Sequence, residues 1–129
     1  MKLEGRKLLL ATAAACAALL LPAVAVADDD REVRKTGTCT ASSRIDLRLR
    51  SDEDEIRIEV EIEARQRGAR WTVVVLRERK IVFRGVVRSR DDSRTAKLRR
   101  EIHDWFGPDS IVVRASGPRN ETCRVSATV

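Results

Sequence analysis

From Ile56 to Ala64 the chain alternates without a break. Ile56, Ile58, Val60, Ile62 and Ala64 fall on one parity; Arg57, Glu59, Glu61 and Glu63 fall on the other. Successive side chains of a strand point to opposite faces, so this run has one dry face and one wet face. A helix would scatter the same residues around its circumference. Ile45, Leu47 and Leu49 repeat the pattern against Asp46, Arg48 and Arg50. The chain is 36% charged, so its core must come from such one-sided elements. Half-wet strands need a second apolar layer over their dry faces.

The rest of the sequence supplies that layer. Ser51-Asp52-Glu53-Asp54-Glu55 has the composition of a hairpin connection. It would set Arg48 and Arg50 beside Glu59 and Glu61 on the wet face, where opposite charges support register. Gln66-Arg67-Gly68-Ala69 reads as a turn. Trp71 to Leu76 is nearly all apolar, as in a strand covered on both sides or lying in mid-sheet. Arg77-Glu78-Arg79-Lys80 turns again, before a strand over Ile81, Phe83, Val86 and Val87 that Gly85 interrupts. Gly107-Pro108 and Gly117-Pro118 precede two final strands, Ile111 to Ala115 and Arg124 to Val129. Residues 95–106 are open to two readings: Ala96, Leu98, Arg100 and Ile102 alternate as a strand, while Leu98, Ile102 and Trp105 also share a helical face. The steady spacing of the neighbouring strands favours a strand. The aromatic residues, Trp71, Phe83, Trp105 and Phe106, read as core. The expected fold is all-β, one sandwich of about seven to eight short strands over residues 37–129.

The start of the chain has a different character. Lys2, Arg6 and Lys7 precede an uncharged, Ala- and Leu-rich run from Leu8 to Leu21. Pro22 ends it, Ala25-Val26-Ala27 places small residues at the positions a signal peptidase reads, and Asp28 follows. This is the layout of a cleaved secretory signal over residues 1–27. The apolar run falls short of the about 20 residues that span a bilayer, so no stable membrane span is expected after processing. Cys16 lies inside the apolar run, with Ala13 where a lipoprotein signal carries Leu, and reads as part of the removed segment. Residues 28–36, from Asp28 to Thr36, are almost all charged and read as a flexible leader.

Removing the signal changes two totals. Of the three cysteines, Cys39 and Cys123 remain, an even pair in an exported chain and hence an expected disulfide joining the first strand to the last. Three of the 26 basic and one of the 20 acidic residues leave with the signal, so the net charge falls from +6 to +4. That weakens any argument for a polyanion partner from charge alone.

A resemblance enters at Trp105-Phe106-Gly107-Pro108-Asp109-Ser110-Ile111-Val112-Val113-Arg114-Ala115. This stretch is similar to the late turn and strand of fibronectin type III-like domains, with Ile111 standing where that family carries a Tyr. The resemblance implies an immunoglobulin- or fibronectin III-like sandwich, with Trp71 packed between its sheets. The layout as a whole resembles small exported bacterial domains of unknown function, which implies an address and no activity.

Candidate sites are few. Asp52, Glu53, Asp54 and Glu55 lack the alternating ligands, Gly and distal Glu of an EF-hand. One paired set of cysteines and a single histidine give no zinc site, and no cofactor is implied. His103 lies near Asp104, Asp109 and Ser110 in sequence, the residue types of a hydrolase without a motif around any Ser. Arg65, Arg67, Arg70, Arg77, Arg79 and Lys80 cluster at turns and are the candidate surface contacts, for an envelope protein, a glycan or an anionic polymer. Nucleic acid is not expected, because no exposed aromatic platform is foreseen for its bases. The expected function is a secreted, non-enzymatic binding or structural module at or outside the cell envelope. The alternatives are a secreted inhibitor of another protein, or a small hydrolase using His103 with a nearby carboxylate.

Overall fold

The computed structural model describes residues 31–129. The expected signal and cleavage site, and Asp28 to Asp30 of the leader, lie outside the described residues. The strands are β1 (Arg31–Thr36), β2 (Thr38–Cys39), β3 (Arg44–Asp52), β4 (Glu55–Glu63), β5 (Arg70–Arg77), β6 (Lys80–Arg88), β7 (Thr95–His103), β8 (Ser110–Ser116) and β9 (Thr122–Thr128). They form a smaller, four-stranded sheet ordered β1-β3-β4-β7 and a larger, five-stranded sheet ordered β2-β9-β8-β5-β6. The fold is the expected all-β sandwich, with nine strands among the described residues where about seven to eight were expected.

The alternating runs form the smaller sheet. Ile45, Leu47 and Leu49 of β3 and Ile56, Ile58, Val60 and Ile62 of β4 are all buried. They pack against Trp71, Val73 and Val75 of β5, Ile111 and Val113 of β8 and Val125 of β9. Trp71 is fully buried between the layers. Burying such side chains contributes roughly 1.5–3 kcal/mol each before entropy is counted. Residues 95–103 are strand β7, paired along β4 from Glu63↔Thr95 to Glu55↔His103. The helical alternative fails because Ala96 and Leu98 are needed on the same inward face as Val60 and Ile62.

Three expectations need correction. Arg31–Thr36 is an edge strand and not a flexible leader: it pairs with β3 from Arg31↔Ser51 to Thr36↔Asp46. Charge does not forbid this, because an edge strand needs backbone partners and only Val33 to pack against the core. The chain then changes sheets at Gly37, where a Cβ would run into the carbonyl oxygen of Arg124. Second, Arg50 lies opposite Arg57 and Glu61 opposite Asp46; only Arg48↔Glu59 is the foreseen pair of opposite charges. Third, Trp105 is 66% exposed and Phe106 fully so, on the loop between β7 and β8. Phe83 is partly buried against the core, with the Arg100 guanidinium 4.3 Å over its ring.

The disulfide joins Cys39 to Cys123. These residues face each other across the β2–β9 ladder, so the bond links β9 to the second strand, with β1 in the opposite sheet. Among the described residues no helix is long and apolar enough to cross a membrane.

Candidate functional site

The expected basic cluster separates into three places. Arg65 and Arg67 lie in the connection between β4 and β5, and Arg70 starts β5. Arg79 sits with Glu78 in the β5–β6 hairpin at the far end of the same strand, where both residues take positive φ as a two-residue turn requires, and Lys80 begins β6.

Arg77 is not a surface contact. It is 6% exposed and shares the inward parity of Trp71, Val73 and Val75. Its Nε and Nη2 donate to Oδ1 of Asp109 at 2.8 and 2.6 Å, and Nη1 donates to the His103 carbonyl. Its guanidinium also stacks 4.4 Å from the centre of the Trp105 ring. Asp109 is 5% exposed, and its Oδ2 is buried without a hydrogen-bond partner among the described residues. Burial pushes the Asp109 carboxyl above its ordinary pKa, the Arg77 hydrogen bonds pull against that, and the Asp104 carboxyl adds to the rise. This cluster fixes the base of the β7–β8 loop.

The His103 ring is exposed and makes no hydrogen bond or ion pair among the described residues. Asp109 is committed to Arg77, and Asp104 accepts from the Ser51 hydroxyl at 2.7 Å. The His103 ring is therefore hydrogen-bonded to neither carboxylate, although Asp104 lies close enough to Asp109 to raise its pKa. The acidic hairpin is a turn in which Glu53 takes positive φ. Cys39, Glu121 and Cys123 do converge, but the two sulfurs are bonded to each other and offer no thiolate to a metal.

A cleft of about 340 Å³ opens at the end of the sandwich where the β4–β5 connection meets the 3₁₀ turn Pro118–Asn120. Trp71 and Glu121 line it; the Trp71 Nε1 is buried without a partner among the described residues, and the Glu121 carboxylate accepts from the Ser43 backbone at 3.2 Å. Its volume is at the lower edge of ligand pockets, which run from about 300 to 1,000 Å³.

The two outer faces of the sandwich differ in charge. On the smaller sheet, Glu32 lies 2.8 Å from Arg34 and 2.7 Å from Arg48, and Arg48 also reaches Glu59 at 3.4 Å. Glu101 meets Arg57 at 3.4 Å and Arg99 at 3.3 Å, and Arg44 meets Asp46 at 3.1 Å. The hydrogen bonds from Arg34 and Arg48 hold the Glu32 carboxyl below its ordinary pKa. This face neutralises itself.

The larger sheet does not. Its outward residues are Arg70, Thr72, Val74 and Leu76 of β5; Ile81, Arg84, Val86 and Arg88 of β6; Ser110, Val112, Arg114 and Ser116 of β8; and Thr122, Arg124, Ser126 and Thr128 of β9. No carboxylate is among them. Arg70, Arg84, Arg114 and Arg124 form no ion pair among the described residues, and Arg88 reaches only Asp91 of its own loop, at 3.4 Å. Of these arginines only Arg70 is among the basic residues expected from sequence to make surface contacts. The signal for the others was parity: each lies an even number of residues from an exposed neighbour on its strand. What sequence lacks is which strands share a sheet.

Comparison with protein-family models, with curated proteins and with solved structures finds no match to this chain.

Proposed function

We propose that the chain is an exported, non-enzymatic binding module that holds an anionic partner on the outer face of its larger sheet. The observation that carries this reading is the row of outward arginines without a carboxylate among them. Guanidinium groups are weakly hydrated and present forked donors, which suits them to carboxylate, sulfate and phosphate oxygens. Leaving several unpaired on one face raises the local potential and attracts an anion from a distance. The expected signal peptide and the disulfide both fit work outside the cytoplasm.

The test uses protein recovered from the medium of an expressing cell. Mass spectrometry should find its first residue at Asp28. It should be retained on a matrix carrying a sulfated or carboxylated polymer and elute with salt. The variant R84Q/R114Q/R124Q should elute far earlier, with the slope of log affinity against log salt reduced by about 2 to 3 units. The control R34Q/K97Q/R99Q removes as many positive charges from the smaller sheet's face and should elute much closer to the unaltered protein. Equal elution of the two variants would falsify the assignment to this face.

A further inference from the structure

The arginines of the larger sheet are arranged as two banks, and what lies between them is specific. Arg70 pairs with Arg88 across β5 and β6. Farther along the same strands runs a second cross-strand row, Arg84, Val74, Arg114 and Arg124, on β6, β5, β8 and β9. Between the two lies the row Val86, Thr72, Ser116 and Thr122, which Arg70 and Arg88 border along its β5–β6 half and Arg84, Arg114 and Arg124 border from β6 to β9. Same-face neighbours on a strand are about 6.7 Å apart and strands about 4.8 Å apart. The banks therefore stand about 13 Å apart at the backbone, with long guanidinium arms over a floor of short side chains.

Three of the four floor residues carry hydroxyls, and Val86 closes the row at its β6 end. Thr72, Ser116 and Thr122 are exposed, and none of their hydroxyls has a hydrogen-bond partner among the described residues. A hydroxyl both donates and accepts, whereas a guanidinium only donates. A bare polyphosphate offers acceptors alone and would leave the accepting capacity of this floor unused. A chain carrying both anionic groups and hydroxyls matches both rows at once. Beyond the second bank, Ile81, Leu76 and Val112 form an apolar row that suits the C–H faces of sugar rings. The face carries no aromatic side chain for stacking nucleobases, since Trp71 and Phe83 are directed to the core.

We infer that the partner is a linear anionic polysaccharide, bearing uronate or sulfate groups, lying across the strands of the larger sheet between its two arginine banks. This rests on the binding-module reading and adds the chemistry of the ligand to it. Arg70 and Arg88 on one side and Arg84, Arg114 and Arg124 on the other take the anionic groups. Thr72, Ser116 and Thr122 take the sugar hydroxyls.

The experiment titrates the secreted protein with linear polygalacturonate, polyphosphate of matched charge, neutral dextran and vesicles containing anionic lipid. Polygalacturonate should bind most tightly and dextran not measurably. The variant T72V/S116A/T122V keeps shape and charge at exposed strand positions. It should lose at least about tenfold in affinity for polygalacturonate and less than about twofold for polyphosphate. Polyphosphate or vesicles binding as tightly as polygalacturonate would overturn the inference, as would a variant that binds polygalacturonate unchanged. In each of those cases the binding-module reading stands. Absence of binding to every polyanion at low salt would remove both.

Discussion

At the scale of single residues, Arg77 shows where local reading fails. Its neighbours Glu78, Arg79 and Lys80 suggest a solvated turn, and the apolar run from Trp71 to Leu76 blurs the parity that would have marked it inward. The parity of Trp71, Val73, Val75 and Arg77 is the correct signal, and it becomes readable only once β5 is known to have a buried face. Inside, Arg77 is held by Asp109, the His103 carbonyl and Trp105. Replacing it by Met strands a buried carboxylate and should cost about 3–5 kcal/mol. The double variant R77M/D109L removes both charges and should cost less than R77M alone, as read from urea unfolding. Asp109 also gives a pH effect of defined sign. Its folded pKa is raised, so the native state binds its proton more tightly than the unfolded chain does. The associated stability is complete below the ordinary carboxylate value of about 4 and is lost as pH climbs through the raised one. The stability of the unaltered protein relative to D109N should therefore decline as pH rises over that window. Glu32 works in the opposite direction: its lowered pKa gives stability present above the ordinary value and lost as pH falls through the folded one. Urea midpoints across pH 3 to 8 for D109N and E32Q would separate the two, and a difference of the wrong sign for either would refute its assignment.

At the scale of elements, β3 and β4 were fully legible, because an unbroken alternation of apolar and charged residues has only one geometry that buries the apolar set. β7 was legible by context, since its pattern fits two periods and only the need to cover β4 selects one. β1 was not legible at all. An edge strand contributes backbone hydrogen bonds and little apolar area, so its sequence can look like a solvated tail. Its role is to cap β3, whose outer backbone edge it pairs from Arg31 to Thr36. A chain beginning at Gly37 should keep its fold, because Val33 is the only β1 side chain that packs on the core. It should lose stability modestly, and the uncovered β3 should make it associate as concentration rises. Sedimentation of the truncated and complete proteins at matched concentrations checks this, and a monomeric truncation at high concentration would contradict the capping role.

At the scale of the whole molecule, the decisive property is how charge divides between the two faces, and total composition hides it. A net charge of +6 for the full sequence says little, because carboxylates on the smaller sheet cancel arginines beside them while the larger sheet keeps its own uncancelled. Strand parity is local, but membership of a sheet comes from long-range pairing, so the site could not be assembled from sequence even though each of its residues is visible there. The disulfide, by contrast, was readable from cysteine count and expected compartment. It closes a loop with a sequence separation of 84, for which chain entropy gives about 4.5 kcal/mol. Cys123 is buried between Thr122 and Arg124, so the β9 end of the staple lies directly behind two residues of the proposed trough. Stability and binding should nevertheless respond differently to its loss. β9 is also held along its full length by β8, from Ser116↔Thr122 to Ser110↔Thr128, and this ladder fixes the outward direction of both residues without the sulfur bridge. The variant C39S/C123S should thus melt roughly 20 °C lower. At a temperature where it remains folded, it should still bind polygalacturonate within about twofold of the unaltered protein, because the hydrogen bonds of that ladder are intact. A parallel loss of affinity in the folded variant would mean that β2 and the disulfide, and not β8, position the edge of the trough.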